Sequence, residues 1–486
     1  MFSPQSYQIE SFNLDQDNKS LNRSTVSDND DEANPPSNDN SVYQTEDYNV
    51  NNSQTSNSDS NITYCGVNGN SILSGILNIC SSTIGAGCFT FPWIISTLGL
   101  VNSIIIFIIV TACIYFSLDL LRSFVVDTKY FSFSLMTEKI LGKKWLMVYA
   151  FSSFFYYLSM NLNYINLLYS FLKTSFVSHS DFQGYIFLLV SCSVEIFLCL
   201  YTSKTANMHL FSIITMFTFT LIIIFTIIKG LHSLIENKYN NPKFGKKQLL
   251  SPSEGQTGWQ IFFLAITACI KYIYGYSYHS SFPTLIGNLK NVNDTTSLKV
   301  HKISFLVICG SYLIISFFGY LIDDPVPKVL FRDYEDSADR DYFTISMKII
   351  LFVFLFSLIP SRYITIRDGY TSLIGKKNLT YKKDLLITTL SLILSNLIVF
   401  LNEEVINDDN FIEIDIFSIF VNFFGGLFGV IICFGLPVIN YAAINGKKKF
   451  KSIIGYSITG IFFIVGLFSF GYSFYEMFIT EKSESE

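Results

Sequence analysis

The stretch Asn78-Ile-Cys-Ser-Ser-Thr-Ile-Gly-Ala-Gly-Cys-Phe-Thr-Phe-Pro92 constrains the fold more than any other part of the chain. It lies inside an apolar segment, about 71–100, long enough to cross a bilayer at roughly 20 residues per span. Its middle is wrong for an ordinary spanning helix. Gly85 and Gly87 have little helix propensity, and Pro92 cannot donate to the helical ladder. Lipid tolerates such a break only where protein buries it or where it lines a wet cavity. A half-helix starting after Gly87 would point bare N–H groups and a positive dipole end into that cavity, a natural seat for a carboxylate. The other reading is a close helix–helix contact through Gly-x-Gly, which membrane bundles also use.

Composition fits a polytopic membrane protein. Half of the 486 residues are hydrophobic and only 15% are charged, against about 25% in soluble proteins. The net charge of −5 is concentrated in residues 1–68, where acids from Glu10 to Asp59 face only Lys19 and Arg23. The remaining core is slightly basic, and nothing in it points to nucleic acid. The 1–68 segment is rich in Ser, Asn and Asp and reads as a disordered acidic cytoplasmic tail. No apolar stretch follows Met1, so no cleavable signal peptide is expected. The nine cysteines sit almost wholly in apolar segments without a Cys-x-x-Cys pair. Neither a structural disulfide nor a metal site is expected.

Ten further apolar segments follow the first, at about 101–121, 145–172, 184–203, 207–229, 259–283, 302–322, 343–366, 384–401, 414–441 and 453–478. The expected fold is all-α, with eleven transmembrane helices in a core of 69–480 and a short tail of 481–486. If the tail is cytoplasmic, Lys and Arg concentrate in the inner loops, among them Lys143, Lys144, Arg362, Arg367, Lys447, Lys448 and Lys449. The sequons at Asn18, Asn22, Asn51, Asn61, Asn293 and Asn378 fall on the same side, where no glycan is added. An odd number of spans puts the C-terminus outside the cell or in a lumen. Plasma membrane and vacuolar or lysosomal membrane both fit.

The sixth segment carries a second interruption, Lys271-Tyr-Ile-Tyr-Gly-Tyr-Ser-Tyr-His-Ser-Ser-Phe-Pro283. Gly275, Ser277, Tyr278, His279, Ser280 and Ser281 are too polar for lipid exposure. Spans one and six are five apart in the order. Interrupted spans at matching positions of two halves point to a carrier built from an inverted repeat, with its site at mid-membrane.

Four pieces then carry a family resemblance. The Asn78–Gly87 stretch resembles the first span of the amino acid/auxin permease family, close to neutral amino acid transporters of the animal sodium-coupled and vacuolar type. Tyr278-His279 running to Asn288-Leu289-Lys290 resembles its sixth span and the segment after it. Phe318-Gly-Tyr-Leu321 is similar to the end of its seventh span, and Phe434-Gly-Leu-Pro437 to the end of its tenth. The resemblance implies a LeuT-like five-plus-five repeat with an eleventh helix, and amino acid substrates. Two positions depart from it. Ser81 stands where sodium-coupled members carry a second Asn, and their span-eight Thr has only Ser357 and Ser361 nearby. The coupling ion, Na+ or H+, therefore stays open.

The expected function is secondary active transport of amino acids, neutral ones given the aromatic content, by alternating access. The alternative is a non-transporting amino acid sensor that signals through its tail. No cofactor is implied beyond a coupling ion, and no nucleophile or carboxylate pair suggests an enzyme. The partners are a small amino acid and membrane lipid; oligomeric state is left open. Ser81, Ser82, Gly85, Ala86 and Gly87 form the first half of the expected site. Ser277, Tyr278 and His279 form the second, and Tyr157 and Asn161 of span three line its wall. Ser81, Lys271 and Ser357 are the ion-coupling candidates. Lys271 lies roughly 16 Å into the sixth span by helical rise, on one helical face with Gly275 and His279, and Glu195 is its candidate partner. Lysine snorkelling to the surface is the competing reading.

Overall fold

The computed structural model describes residues 69–176, 190, 192–199, 208–236, 257–276, 278–322, 326, 329–330, 342–374, 381–405 and 423–483. The acidic tail 1–68, Ser277 and most of the fourth expected span lie outside the described residues.

The regular structure of the described residues is helical. Their one β-type pairing is an isolated parallel bridge between Asn70 and Leu289. The first span is two pieces. Helix α1 (Ile72–Thr83) begins at Ser71, whose hydroxyl accepts the Ser74 N–H at 3.2 Å. After Ile84 and Gly85 comes a tight 3-10 turn, Ala86–Thr90, and then α2 (Phe91–Leu98), opened by Pro92 in its first turn. The two parts are bent by 54°. At Gly99 φ is +79°, a left-handed setting natural to glycine, so α2 turns straight into α3 (Leu100–Thr128).

The chain continues through α4 (Phe133–Leu141), α5 (Lys143–Phe176), α6 (Met208–Glu236), α7 (Gly258–Gly275), the short α8 (Phe282–Gly287), α9 (Asp294–Ile322), α10 (Tyr342–Ile374) and α11 (Tyr381–Val405). Two π-helical segments, Phe424–Phe428 and Ile431–Gly435, lead into α12 (Leu436–Asn445), and α13 (Phe450–Ser483) closes the described chain. Among the described residues six helices are long and apolar enough to cross a membrane, and the bent α1–α2 pair makes a seventh. Several helices outrun their apolar stretches. The seventh expected span, 302–322, is helical from Asp294, because backbone hydrogen bonding continues past the point where hydrocarbon ends.

Helix α3 shows how these elements divide between protein and lipid. Phe107, Val110, Ile114, Leu118 and Leu121 recur every three or four residues and are buried, whereas Ile104, Ile105, Ile108 and Ile109 are exposed. An exposed face this apolar is a liability in water and a fit to hydrocarbon. Inside the bundle α5 lies along α10, α1 packs on α9, and α7 packs on α3.

Candidate site at the two helix breaks

Both expected interruptions are present. Helix α1 ends at Thr83, and Ile84 (ψ 122°) and Gly85 (φ −145°, ψ 176°) are extended. The sequence makes this end weak. Ser81 Oγ donates to Asn78 O at 3.0 Å, Ser82 Oγ to Ile79 O at 2.9 Å and Thr83 Oγ1 to Ile79 O at 2.7 Å. Three consecutive hydroxyls folded back onto their own helix compete with its ladder. In the turn that follows, Cys88 N–H bonds to Gly85 O at 3.3 Å. The N–H groups of Ala86 and Gly87 come before that first bond. They have no backbone partner among the described residues, the orphan donors of a helix start.

In the sixth span α7 stops at Gly275, and helix resumes at Phe282. The two interrupted spans cross where both carry glycine. A Cβ on Gly87 would lie 3.6 Å from the Gly275 Cα, and a Cβ on Gly275 would lie 2.7 Å from the Phe91 ring. A Cβ on Gly87 would find ordinary contacts, so close approach at the crossing is served by Gly275, beside the open backbone of the first break.

Tyr312 of α9 ties the two breaks together. Its hydroxyl donates to Gly275 O at 2.6 Å and lies 3.4 Å from Thr83 O. These carbonyls belong to the last residues of α7 and α1, the negative ends of both half-helices. Tyr276 fastens the second break to the neighbouring helices, its hydroxyl 3.1 Å from Thr111 Oγ1 on α3 and 3.3 Å from Cys309 Sγ on α9.

Arg362 is the charged group at the first break. Its Nη2 donates to Thr83 O at 3.4 Å, and a Cβ on Gly85 would come within 3.4 Å of that nitrogen and collide with the Tyr164 hydroxyl. The Tyr164 hydroxyl borders the same glycine, and Tyr157 lies close by. Sequence reasoning put Arg362 among the inner-surface anchors. The structure corrects this: the residue is 3% exposed, on α10 two residues after Pro360. A readable signal was its place in the apolar run of the eighth span, where an ionisable residue is a functional candidate by default. Tyr312 gave no comparable signal, whereas the spacing of span three puts Tyr164 on one face with Tyr157 and Asn161.

The other expected site residues fall as follows. Tyr157 and Asn161 of α5 are buried, Tyr157 beside Ser280 of the second break. Asn161 Oδ1 is without a hydrogen-bond partner among the described residues. Tyr278 and His279 are fully buried within the second break, and neither the Tyr278 hydroxyl nor the His279 ring nitrogens find a partner among the described residues. Ser277 lies outside the described residues. Ser357 Oγ donates to Phe354 O at 2.7 Å and pairs with Thr215 Oγ1 of α6 at 2.8 Å, so its hydroxyl joins two helices. The Lys271 ammonium stands 4.0 Å over the Trp93 ring of α2. Its expected helical register with His279 does not survive, because α7 ends at Gly275. Glu195 accepts from Asn396 Nδ2 of α11 at 2.9 Å. Among the described residues no cluster of His, Cys, Asp or Glu could hold a metal ion.

At one end of the bundle Asp119 and Arg122 of α3 form an ion-pair network with neighbouring helices. Arg122 reaches Asp119 at 3.0 Å and Asp294 of α9 at 2.5 Å, and Lys451 of α13 comes within 3.7 Å of Asp119. The Asn70–Leu289 bridge joins the entry of α1 to the segment after α8. Beyond the break, Leu330 N–H donates to Phe89 O at 2.8 Å, joining the turn of the first span to the segment after α9.

Interrupted helices crossing inside an apolar bundle define an integral multi-pass membrane transporter. The family described as transmembrane amino acid transporter protein matches residues 68–479, and the chain belongs to it. It is a family of carriers, not of enzymes. No curated protein matches the chain. Among solved structures the fold is shared with the Eremococcus coleocola manganese transporter in complex with an aromatic bis-isothiourea substituted compound. That likeness has a TM-score of 0.52 at 10% identity and covers 84% of this chain and 89% of that one. A substrate-bound, outward-open Na+-coupled sialic acid symporter is similar at a TM-score of 0.48 and 12% identity, over 82% of this chain and 88% of the other.

Proposed function

We propose that this protein carries neutral amino acids across a membrane by alternating access, driven by an H+ or Na+ gradient, from a site between the two helix breaks. The observation that carries the reading is the crossing itself. Two half-helix ends, an extended Gly85 and N–H groups of Ala86 and Gly87 that have no backbone partner among the described residues lie where the two spans cross, and the buried Tyr278 and His279 follow within the second break. Bare N–H groups suit a carboxylate, and the carbonyls ending α1 and α7 suit an ammonium. A zwitterion satisfies both. The wall of Tyr157, Tyr164, Tyr274 and Phe91 is aromatic, which favours apolar side chains on the substrate.

An eleven-helix, five-plus-five inverted repeat accords with the packing. Helix α1 of the first interrupted span rests on α9, the second span of the other half, while α7 rests on α3, the second span of its own opposite half. The tail 1–68 is proposed to be cytoplasmic. The test is uptake by the purified protein in liposomes, with a panel of amino acids and with sodium and pH gradients imposed separately. Saturable, stereoselective accumulation of neutral amino acids is expected. Binding without accumulation or counterflow under any gradient would make the protein a sensor instead.

A further inference from the structure

We infer that Arg362 is a resident cation in the seat where a coupling sodium would sit, so that transport by this protein does not require sodium. The inference rests on the carrier reading above and narrows its driving ion. In broken-helix carriers the C-terminal ends of half-helices and the unwound carbonyls beside them are where coupling cations bind. Here that end is Thr83, and its carbonyl faces the Arg362 guanidinium at 3.4 Å. A guanidinium keeps its charge throughout the accessible pH range, and this one is buried on α10 against the break.

The helix-end carbonyl that sodium would need is already engaged. Sodium is a hard cation that takes several oxygen ligands at once. The Thr83 carbonyl faces both Arg362 and the Tyr312 hydroxyl. The Ser357 hydroxyl lies between Phe354 O and Thr215. A second cation at the same carbonyl would meet a like charge a few ångströms away in a medium of low dielectric. The planar fork of Arg362 also offers several donors at fixed angles. One of them holds Thr83 O, and the Tyr164 hydroxyl stands nearby at Gly85.

Three forms of the full-length protein in liposomes test this: wild type, Arg362→Lys and Arg362→Gln. Uptake is measured with sodium and with choline in its place, at matched pH on both sides and under an imposed pH gradient. Wild type is expected to transport equally well in both salts. Arg362→Lys keeps the charge and should stay indifferent to sodium at a reduced rate. Arg362→Gln should lose uptake in choline by more than about tenfold, as loss of a buried charge at its partners implies, and recover part of it in sodium. Wild-type uptake that collapses in choline overturns the inference, as does an Arg362→Gln form indifferent to sodium. Thermal unfolding of the detergent-purified forms separates this from a failure of the carrier reading. Sodium should raise the melting temperature of Arg362→Gln and leave wild type unmoved. A sodium shift in wild type, or none in Arg362→Gln, overturns the cation seat whether or not the protein transports. Should Arg362→Gln not fold, wild type and Arg362→Lys decide, and sodium-dependent uptake or stability in either overturns it.

Discussion

Replacing Tyr312 by Phe removes one oxygen from the place where both interrupted helices end. The ring should stay, because its edge-to-face contacts with Phe91 (5.3 Å) and Tyr276 (5.2 Å) do not involve the hydroxyl. What is lost is the 2.6 Å bond to Gly275 O and the weaker approach to Thr83 O. Tyr312 is fully buried, so no water stands ready to replace it. Leaving a buried acceptor unpaired costs about 1–3 kcal/mol. At 1.4 kcal/mol per factor of ten, the transport-competent arrangement of the breaks falls roughly 5- to 150-fold in population relative to its competitors. The initial rate of uptake at saturating substrate should fall within that range, with a lowered melting temperature. Tyr276→Phe is the internal control. Its hydroxyl pairs with two side chains, Thr111 and Cys309, at 3.1 and 3.3 Å. The Thr111 hydroxyl can rotate to another partner, so about 0.5–1.5 kcal/mol is expected. Tyr312→Phe should therefore be the more damaging of the two. Wild-type rate and stability in Tyr312→Phe, or the reverse order, would refute the assignment of Tyr312 as the tie between the breaks.

Gly85→Ala should impair uptake far more than Gly87→Ala. The first Cβ collides with the Tyr164 hydroxyl, whereas the second finds contacts of 3.4–3.7 Å; overpacking of the first kind costs about 1–3 kcal/mol. Equal activity of the two variants would mean that Tyr164 does not lie against the break. Ser357→Ala should lose about 1 kcal/mol of stability, from its bond to Thr215, with no change in cation dependence. A selective loss of sodium-driven uptake would return Ser357 to the ion ligands. Arg122→Ala should lower the melting temperature chiefly through Asp119, whose side chain is 22% exposed, because Asp294 at 68% is screened by solvent. A double variant with Asp119→Ala should then lose little more, and full additivity would show that the two residues act apart.

The breaks were legible in the sequence because their causes are local. Glycine, hydroxyl clusters and proline weaken a helix wherever they stand, so Ser81–Thr83, Gly85, Gly275 and Pro283 announced both interruptions without knowledge of any neighbour. Partners across the bundle were not legible, since nothing in a sequence says which helix faces which. Lys271 was aligned with His279 by counting along a helix that in fact ends at Gly275. Its ammonium lies over Trp93, across the joint between α2 and α7. Ser357 was matched to an ion site by position in its span; that its hydroxyl pairs with Thr215 of α6 could not be read there.

Arg362 is the instructive case, because two rules compete for the same residue. Counting Lys and Arg at span ends orients a membrane protein and treats each cation as an anchor in water. The expense of a charge in hydrocarbon treats the same cation as buried and functional. Position decides between them: Lys447, Lys448 and Lys449 follow α12 and are exposed, whereas Arg362 lies inside α10 with helix on both sides. An arginine flanked by apolar turns has no surface to reach. It must find its counterweight inside, and the carbonyl end of a broken helix is one of the few internal features that carries negative potential without carrying a proton.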